Sequence, residues 1–284
     1  MRRDDFKNET LRFDMLLENN MLSYKNDYDG QDVEDIFRLC RKLLRFYIEE
    51  NNLANERVSE ASLNPYFIES LNVFNSSKIM DYYKSLKVKL VRDPKLKENE
   101  AGLDFELNKK KNQNETLAIY LPNGKLTMSD MMGYAHEMGH VPHILNPRED
   151  FLEYSEALPF FMEYIISLKK TGNQKDALNY FLKERLPMQQ EDAKDLLKIF
   201  KHINEKDQYV RLYHQQLFAD CYKFIESLEF SLALIERMKD DKTAVGNEIE
   251  NVLNGKSLVH VIENLDFTTD GCERVQKEFK RMSR

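Results

Sequence analysis

Apolar and polar positions along the 284-residue chain follow two rhythms. Val33, Ile36, Cys40, Leu43 and Tyr47 recur at alternating intervals of three and four, the stripe of an amphipathic helix over 31–51, with Glu34, Asp35, Arg38, Arg41 and Arg45 mostly elsewhere around the circumference. Residues 5–20 and 64–86 also read as helical, with Asn64-Pro65 and Asn75-Ser76-Ser77 marking starts or breaks. Between Lys87 and Asn123 the period shortens to two. KVKLVRD and LDFEL alternate apolar with polar side chains, and TLAIYL is a short apolar run that ends at the turn Pro122-Asn123-Gly124. Three short strands follow from this, with the polar KKKNQNE run as a solvated loop joining the second to the third. After Gly124 the helical rhythm returns, broken near Asn146-Pro147, Thr171-Gly172-Asn173, Asp240-Asp241 and Asn254-Gly255. No internal repeat or low-complexity linker interrupts it. The pattern predicts one mostly α domain over 1–284 with a small β-sheet (α+β), its strands around 87–121.

Composition narrows the function. Hydrophobic residues at 42% and charged residues at 32% describe a globular chain with a heavily solvated surface, and nine glycines and seven prolines favour long helices over a turn-rich β architecture. A net charge of -7 argues against a nucleic-acid partner. The segment MRRDDFKNET lacks an apolar stretch behind its arginines, and no run approaches the roughly 18 apolar residues of a membrane span, so neither an export signal nor a membrane partner is expected. Cys40, Cys221 and Cys272 are widely separated and form no CxxC pair, which points away from disulfides and thiolate metal sites and makes a reducing cytoplasm the expected setting.

Chemistry concentrates in Tyr134-Ala135-His136-Glu137-Met138-Gly139-His140-Val141-Pro142-His143. On a helix, residues four apart lie one turn above each other, so His136 and His140 project from one face and their imidazoles can converge on one metal ion. Glu137, about 100° around the helix, borders that site without having to bind the metal, which suits it to act as a base on water there. Thr127 offers a hydroxyl cap with Asp130 three residues later, and Pro142 predicts that the helix stops or kinks just after His140. A chance HExxH match in a chain of this length arises at roughly the one per cent level.

A hydrolytic zinc site needs three protein ligands and an open position. The third should come from the next helix, folding back, where Glu149, Glu153, Glu156 and Glu163 compete. Glu156 and Glu163 are seven apart and share a helix face, so one could bind the metal while the other orients a neighbouring ligand. The two metal-bearing helices then occupy about 127–169.

These segments resemble the oligoendopeptidase F and thimet oligopeptidase family of gluzincin zinc peptidases. That family's HExGHxxH is matched by His136, Glu137, Gly139, His140 and His143. Its later helix, with a glutamate ligand and a second glutamate seven residues on, is matched by Glu156 and Glu163. Tyr213-His214-Gln215-Gln216-Leu217-Phe218-Ala219-Asp220 is similar to a further family stretch. The interval from His140 to Glu156 is shorter than the family's, Glu153 also stands in a family-like Asp-Phe-aliphatic-Glu, and the family's C-terminal tyrosines have no counterpart after Tyr222.

The resemblance implies a gluzincin-like catalytic domain: a cytoplasmic endopeptidase of short peptides with one zinc per chain held by His136, His140 and Glu156, and Glu137 as general base. An oxyanion donor would come from Tyr209, Tyr213, His214 or His260. The strand Thr116 to Leu121 could align an extended substrate by main-chain hydrogen bonds. Two alternatives accompany this reading, a regulatory HExxH protease that cleaves one partner protein and a degenerate family member that binds peptide or protein without turnover.

Overall fold

A computed structural model describes residues 56–96, 102–106, 116–145, 156–185, 227–228 and 230–256. The predicted helices over 5–20 and 31–51, the KKKNQNE loop, Glu149, Glu153, Tyr209, Tyr213, His214 and His260 lie outside the described residues. Within them the chain runs α1 (Glu60–Ser70), a 3-10 turn (Leu71–Phe74), α2 (Ser77–Ser85), β1 (Lys87–Asp93), β2 (Gly102–Glu106), β3 (Thr116–Pro122), α3 (Met128–Leu145) and α4 (Ala157–Thr171). Helical segments α5 (174–185) and α6 (230–240) follow, and then α7 (Lys242–Leu253). The architecture is mostly helical with one small sheet, as the pattern predicts. None of these helices is long and apolar enough to cross a membrane.

The expected helix over 64–86 is two helices. The first begins earlier than Asn64-Pro65 suggests, at Glu60, with Pro65 inside it. The break at Asn75 is where the sequence places it: Asn75 takes a left-handed φ of 52°, and Ser76 then caps α2 by accepting a hydrogen bond from the Ile79 N–H at 3.3 Å. Gly172 ends α4 with φ 75°, and Asp241 caps α7 by accepting from the Ala244 N–H at 2.9 Å, both at predicted breaks.

The strands match their predicted extents to within a residue or two, and their order is β1-β3-β2. β1 lies parallel to β3, with Lys87 opposite Thr116 and Asp93 opposite Pro122; β2 lies antiparallel on the other side, with Gly102 opposite Tyr120. This overturns one expectation. β3 is the central strand, both of its edges are taken, and it has none to offer a substrate. Burial of Leu117, Ala118, Ile119 and Leu121 covers its faces and explains the apolar run, while the two edges are closed by pairing with β1 and β2.

The helix does not stop after His140: α3 continues through Pro142 to Leu145. Proline removes the hydrogen bond to the carbonyl four residues back and crowds that carbonyl, but Val141, Pro142 and His143 are all buried, so core packing favours a last turn that the isolated sequence would lose.

α4 is buried along most of its length. Every residue from Ala157 to Ser167 is buried, so this helix is covered on all sides rather than along one stripe. It packs against α3. The two backbones come unusually close at Gly139, where a Cβ atom would stand 2.5 Å from Pro159 Cα.

Candidate metal centre

The site is built at the crossing of α3 and α4. α3 starts at a reciprocal cap: the Thr127 N–H and hydroxyl both donate to Asp130 Oδ2, at 2.6 and 2.9 Å, while the Asp130 N–H reaches back to Thr127 Oγ1 at 3.5 Å. Strand-like hydrogen bonds from the Val58 N–H to the Leu126 carbonyl, 3.0 Å, and from the Met128 N–H to the Glu56 carbonyl, 2.8 Å, pin this end of the helix. Two turns on, His136 and His140 stack along the face turned to α4, their rings edge to face with centroids 4.9 Å apart.

Glu156 arrives from the other helix. It occupies the N-cap position of α4, where its carbonyl accepts the Phe160 N–H at 3.0 Å, and its side chain turns to the histidines. His136 Nε2 and His140 Nε2 are 3.2 Å apart, and Glu156 Oε2 lies 3.1 Å from the first and 3.4 Å from the second. Ligands about 2.0–2.1 Å from a four-coordinate ion stand about 3.3–3.4 Å apart, so this triangle is close to one face of such a tetrahedron. It is the group of His, Cys, Asp and Glu side chains, among the described residues, that could hold a metal ion.

Protons sharpen the point. Behind the triangle, His136 Nδ1 lies 2.6 Å from Glu163 Oε1, a charge-assisted hydrogen bond in which Nδ1–H donates. With its proton on Nδ1, a neutral His136 presents only a lone pair at Nε2. Glu156 as a carboxylate presents only lone pairs as well. Three close donor atoms with at most one hydrogen among them, from His140, are an arrangement that suits a cation.

Electrostatics agree with neutral imidazole. Burial, joined by the Arg185 and His140 charges, pushes His136 down to about 3 against the opposing effect of Glu156. Burial would raise Glu156, but the neighbouring His136 and His140 side chains outweigh it and keep the carboxyl below its ordinary range. Glu137, buried on the adjacent face and within electrostatic reach of His140 and Glu156, is raised, chiefly by burial. A carboxylate moved upward in this way is a better base than one in water.

All four expected site residues therefore meet: His136, Glu137 and His140 on α3, and Glu156 at the head of α4. Glu163 takes the orienting place foreseen for one member of the Glu156/Glu163 pair. It is fully buried and pairs through both oxygens with the Arg185 guanidinium, Nε to Oε2 and Nη2 to Oε1. Sequence reasoning missed Arg185. The available signal was indirect: an acid inside a run as apolar as Ala157 to Ser167 needs a cationic partner, and Arg185 stands in the helical segment that follows. Comparison with known proteins finds no matching family model, no matching curated protein and no matching solved structure.

Proposed function

We propose that the chain is a zinc-dependent endopeptidase of short peptides with a gluzincin-like catalytic domain, working in the cytoplasm with one zinc ion per chain. The observation that carries this is the His136, His140 and Glu156 triangle, with edges of 3.1 to 3.4 Å. Two imidazoles and one carboxylate make the mixed donor set that suits a catalytic zinc site, which keeps a fourth position open. The HExxH spacing and the second glutamate seven residues beyond Glu156 add the resemblance to oligoendopeptidases.

Bound there, zinc supplies Lewis acidity toward water and toward a peptide carbonyl. The chain's own residues do the rest. His136, His140 and Glu156 hold the ion. Glu137, buried beside them, takes a proton from the attacking water and returns it to the departing amine, a task for which its raised carboxyl is suited. An extended substrate must find its main-chain partner on β1 or β2, since β3 is paired on both sides.

The test combines elemental analysis of protein purified without added metal with digestion of a mixed peptide pool, with and without chelator. One zinc per chain and chelator-sensitive cleavage support the proposal. A folded protein that arrives metal-free and takes up no zinc on titration overturns it.

A further inference from the structure

We propose that Arg185 is a positioning residue of the metal centre, acting through Glu163 to fix the tautomer and ring plane of His136; the inference rests on the zinc reading above. Three helices meet at this point. α3 supplies His136, α4 supplies Phe160 and Glu163 one turn apart, and α5 supplies Arg185. Glu163 Oε1 is shared, accepting from His136 Nδ1–H at 2.6 Å on one side and from Arg185 Nη2 on the other, while Oε2 accepts from Arg185 Nε. The same Nη2 lies 3.3 Å from His136 Nδ1.

A buried carboxylate that met His136 alone would be held at one oxygen and free to turn about its terminal torsion. The guanidinium fork removes that freedom, because two parallel N–H···O contacts define the carboxylate plane as well as its position. With the plane fixed, Oε1 stays aimed at Nδ1, the ring proton stays on that nitrogen, and the Nε2 lone pair stays aimed at His140 and Glu156. Arg185 is itself held from a second direction. Its guanidinium carbon stands 5.0 Å over the Phe160 ring, and the Phe160 ring in turn lies 5.7 Å from that of His136 at a tilt of 50°. Two α4 side chains thus grip Arg185 and touch His136, so the guanidinium works as the back plate of the ligand. A lysine would supply the charge without the fork.

The experiment uses the full chain and two readouts. Zinc affinity is measured by competition with a chromophoric chelator for the wild type, Arg185→Lys, Arg185→Met, Glu163→Gln and the double variant Arg185→Met/Glu163→Gln. Ring nitrogen shifts of histidine are read by ¹⁵N NMR on the metal-free proteins, with folding checked by circular dichroism. Loss of such a supporting contact typically weakens metal binding about 10- to 100-fold, and that is the expectation for Arg185→Met, with Arg185→Lys in between. If Arg185 acts through Glu163, the double variant binds zinc no more weakly than Glu163→Gln alone. The His136 nitrogens should show a single Nδ1–H form in the wild type and a mixture of tautomers in both Arg185 variants. Wild-type affinity in folded Arg185→Met, or losses that simply add in the double variant, overturns the inference. Should Arg185→Met fail to fold, Arg185→Lys decides: a several-fold loss with mixed tautomers supports it, and unchanged affinity and shifts sink it. A wild type that takes up no zinc refutes the zinc proposal instead, and the tautomer comparison then tests Arg185 by itself.

Discussion

Gly139 of α3 and Pro159 of α4 meet backbone to backbone. A side chain at Gly139 would put its first carbon 2.5 Å from Pro159 Cα and 2.7 Å from its nitrogen, distances at which rigid main chain has to move. The glycine of the HExGH motif is thereby explained on steric grounds. It sits between His136 and His140 on the chain, and it lets the helix that begins at Glu156 come within reach of both.

Gly139→Ala accordingly reverses an ordinary rule. In an exposed helix interior this change stabilises by about 1 kcal/mol. Here overpacking of the helix crossing should destabilise the metal-free protein by about 1–3 kcal/mol in denaturant unfolding. Zinc affinity should fall as well, because Glu156 is carried away from the histidines. A Gly139→Ala variant more stable than the wild type would show that the close approach is not maintained in solution.

Glu137→Gln should retain zinc while losing turnover by about 100- to 10,000-fold, the usual contribution of a positioned general base. His140→Ala should lose both. Metal content measured beside peptide cleavage separates the two, and a Gln variant that sheds its zinc would make Glu137 a ligand.

Glu156→Gln and Glu153→Gln divide the two acids that the sequence left in competition. Glu156 stands 3.1 and 3.4 Å from the histidine nitrogens, so its substitution should abolish tight zinc binding, whereas Glu153→Gln should leave affinity at the wild-type value. Isothermal titration with zinc reads both.

How much of this was legible beforehand depends on how local each determinant is. HExxH was legible because helix geometry alone converts a spacing of four into one face. The strands were legible in extent but not in order: nothing within TLAIYL says that both of its edges are occupied, since that depends on residues far along the chain. Pro142 misled because its effect on an isolated helix is strong, while the burial that overrides it is tertiary. Arg185 was legible only indirectly, through the need of the buried Glu163 for a cationic partner. It has no motif, and its role exists only where a third helix brings it against Glu163.

A last prediction concerns stability away from the site. The Ser76 hydroxyl caps α2 through the Ile79 N–H and also donates to Glu250 Oε1 of α7 at 2.6 Å, while Lys78 Nζ holds Glu250 Oε2 at 3.0 Å. Hydrogen bonds from Ser76 and Lys78 keep the Glu250 carboxyl below its ordinary value. A carboxyl lowered on folding contributes stability that is present above its unfolded pKa of about 4.3 and is lost as pH falls through the folded value. Ser76→Ala should cost about 1 kcal/mol at neutral pH, and Glu250→Gln should flatten the acid limb of the stability curve. Thermal unfolding between neutral and acidic pH reads both effects.

The strand order has a kinetic corollary. β3 is the last of the described strands and yet lies in the middle, so this sheet cannot be laid down in order of synthesis. β2 and β3 are near neighbours in sequence and can zip as a hairpin, whereas β1 must join β3 in parallel across a longer loop, a pairing whose closure entropy makes it slower. α3 follows β3 across the short connection 123–127. The histidines are therefore anchored to the strand that is completed last, and the competence to bind metal should appear late in refolding, on the time scale of the β1 docking event rather than that of helix formation.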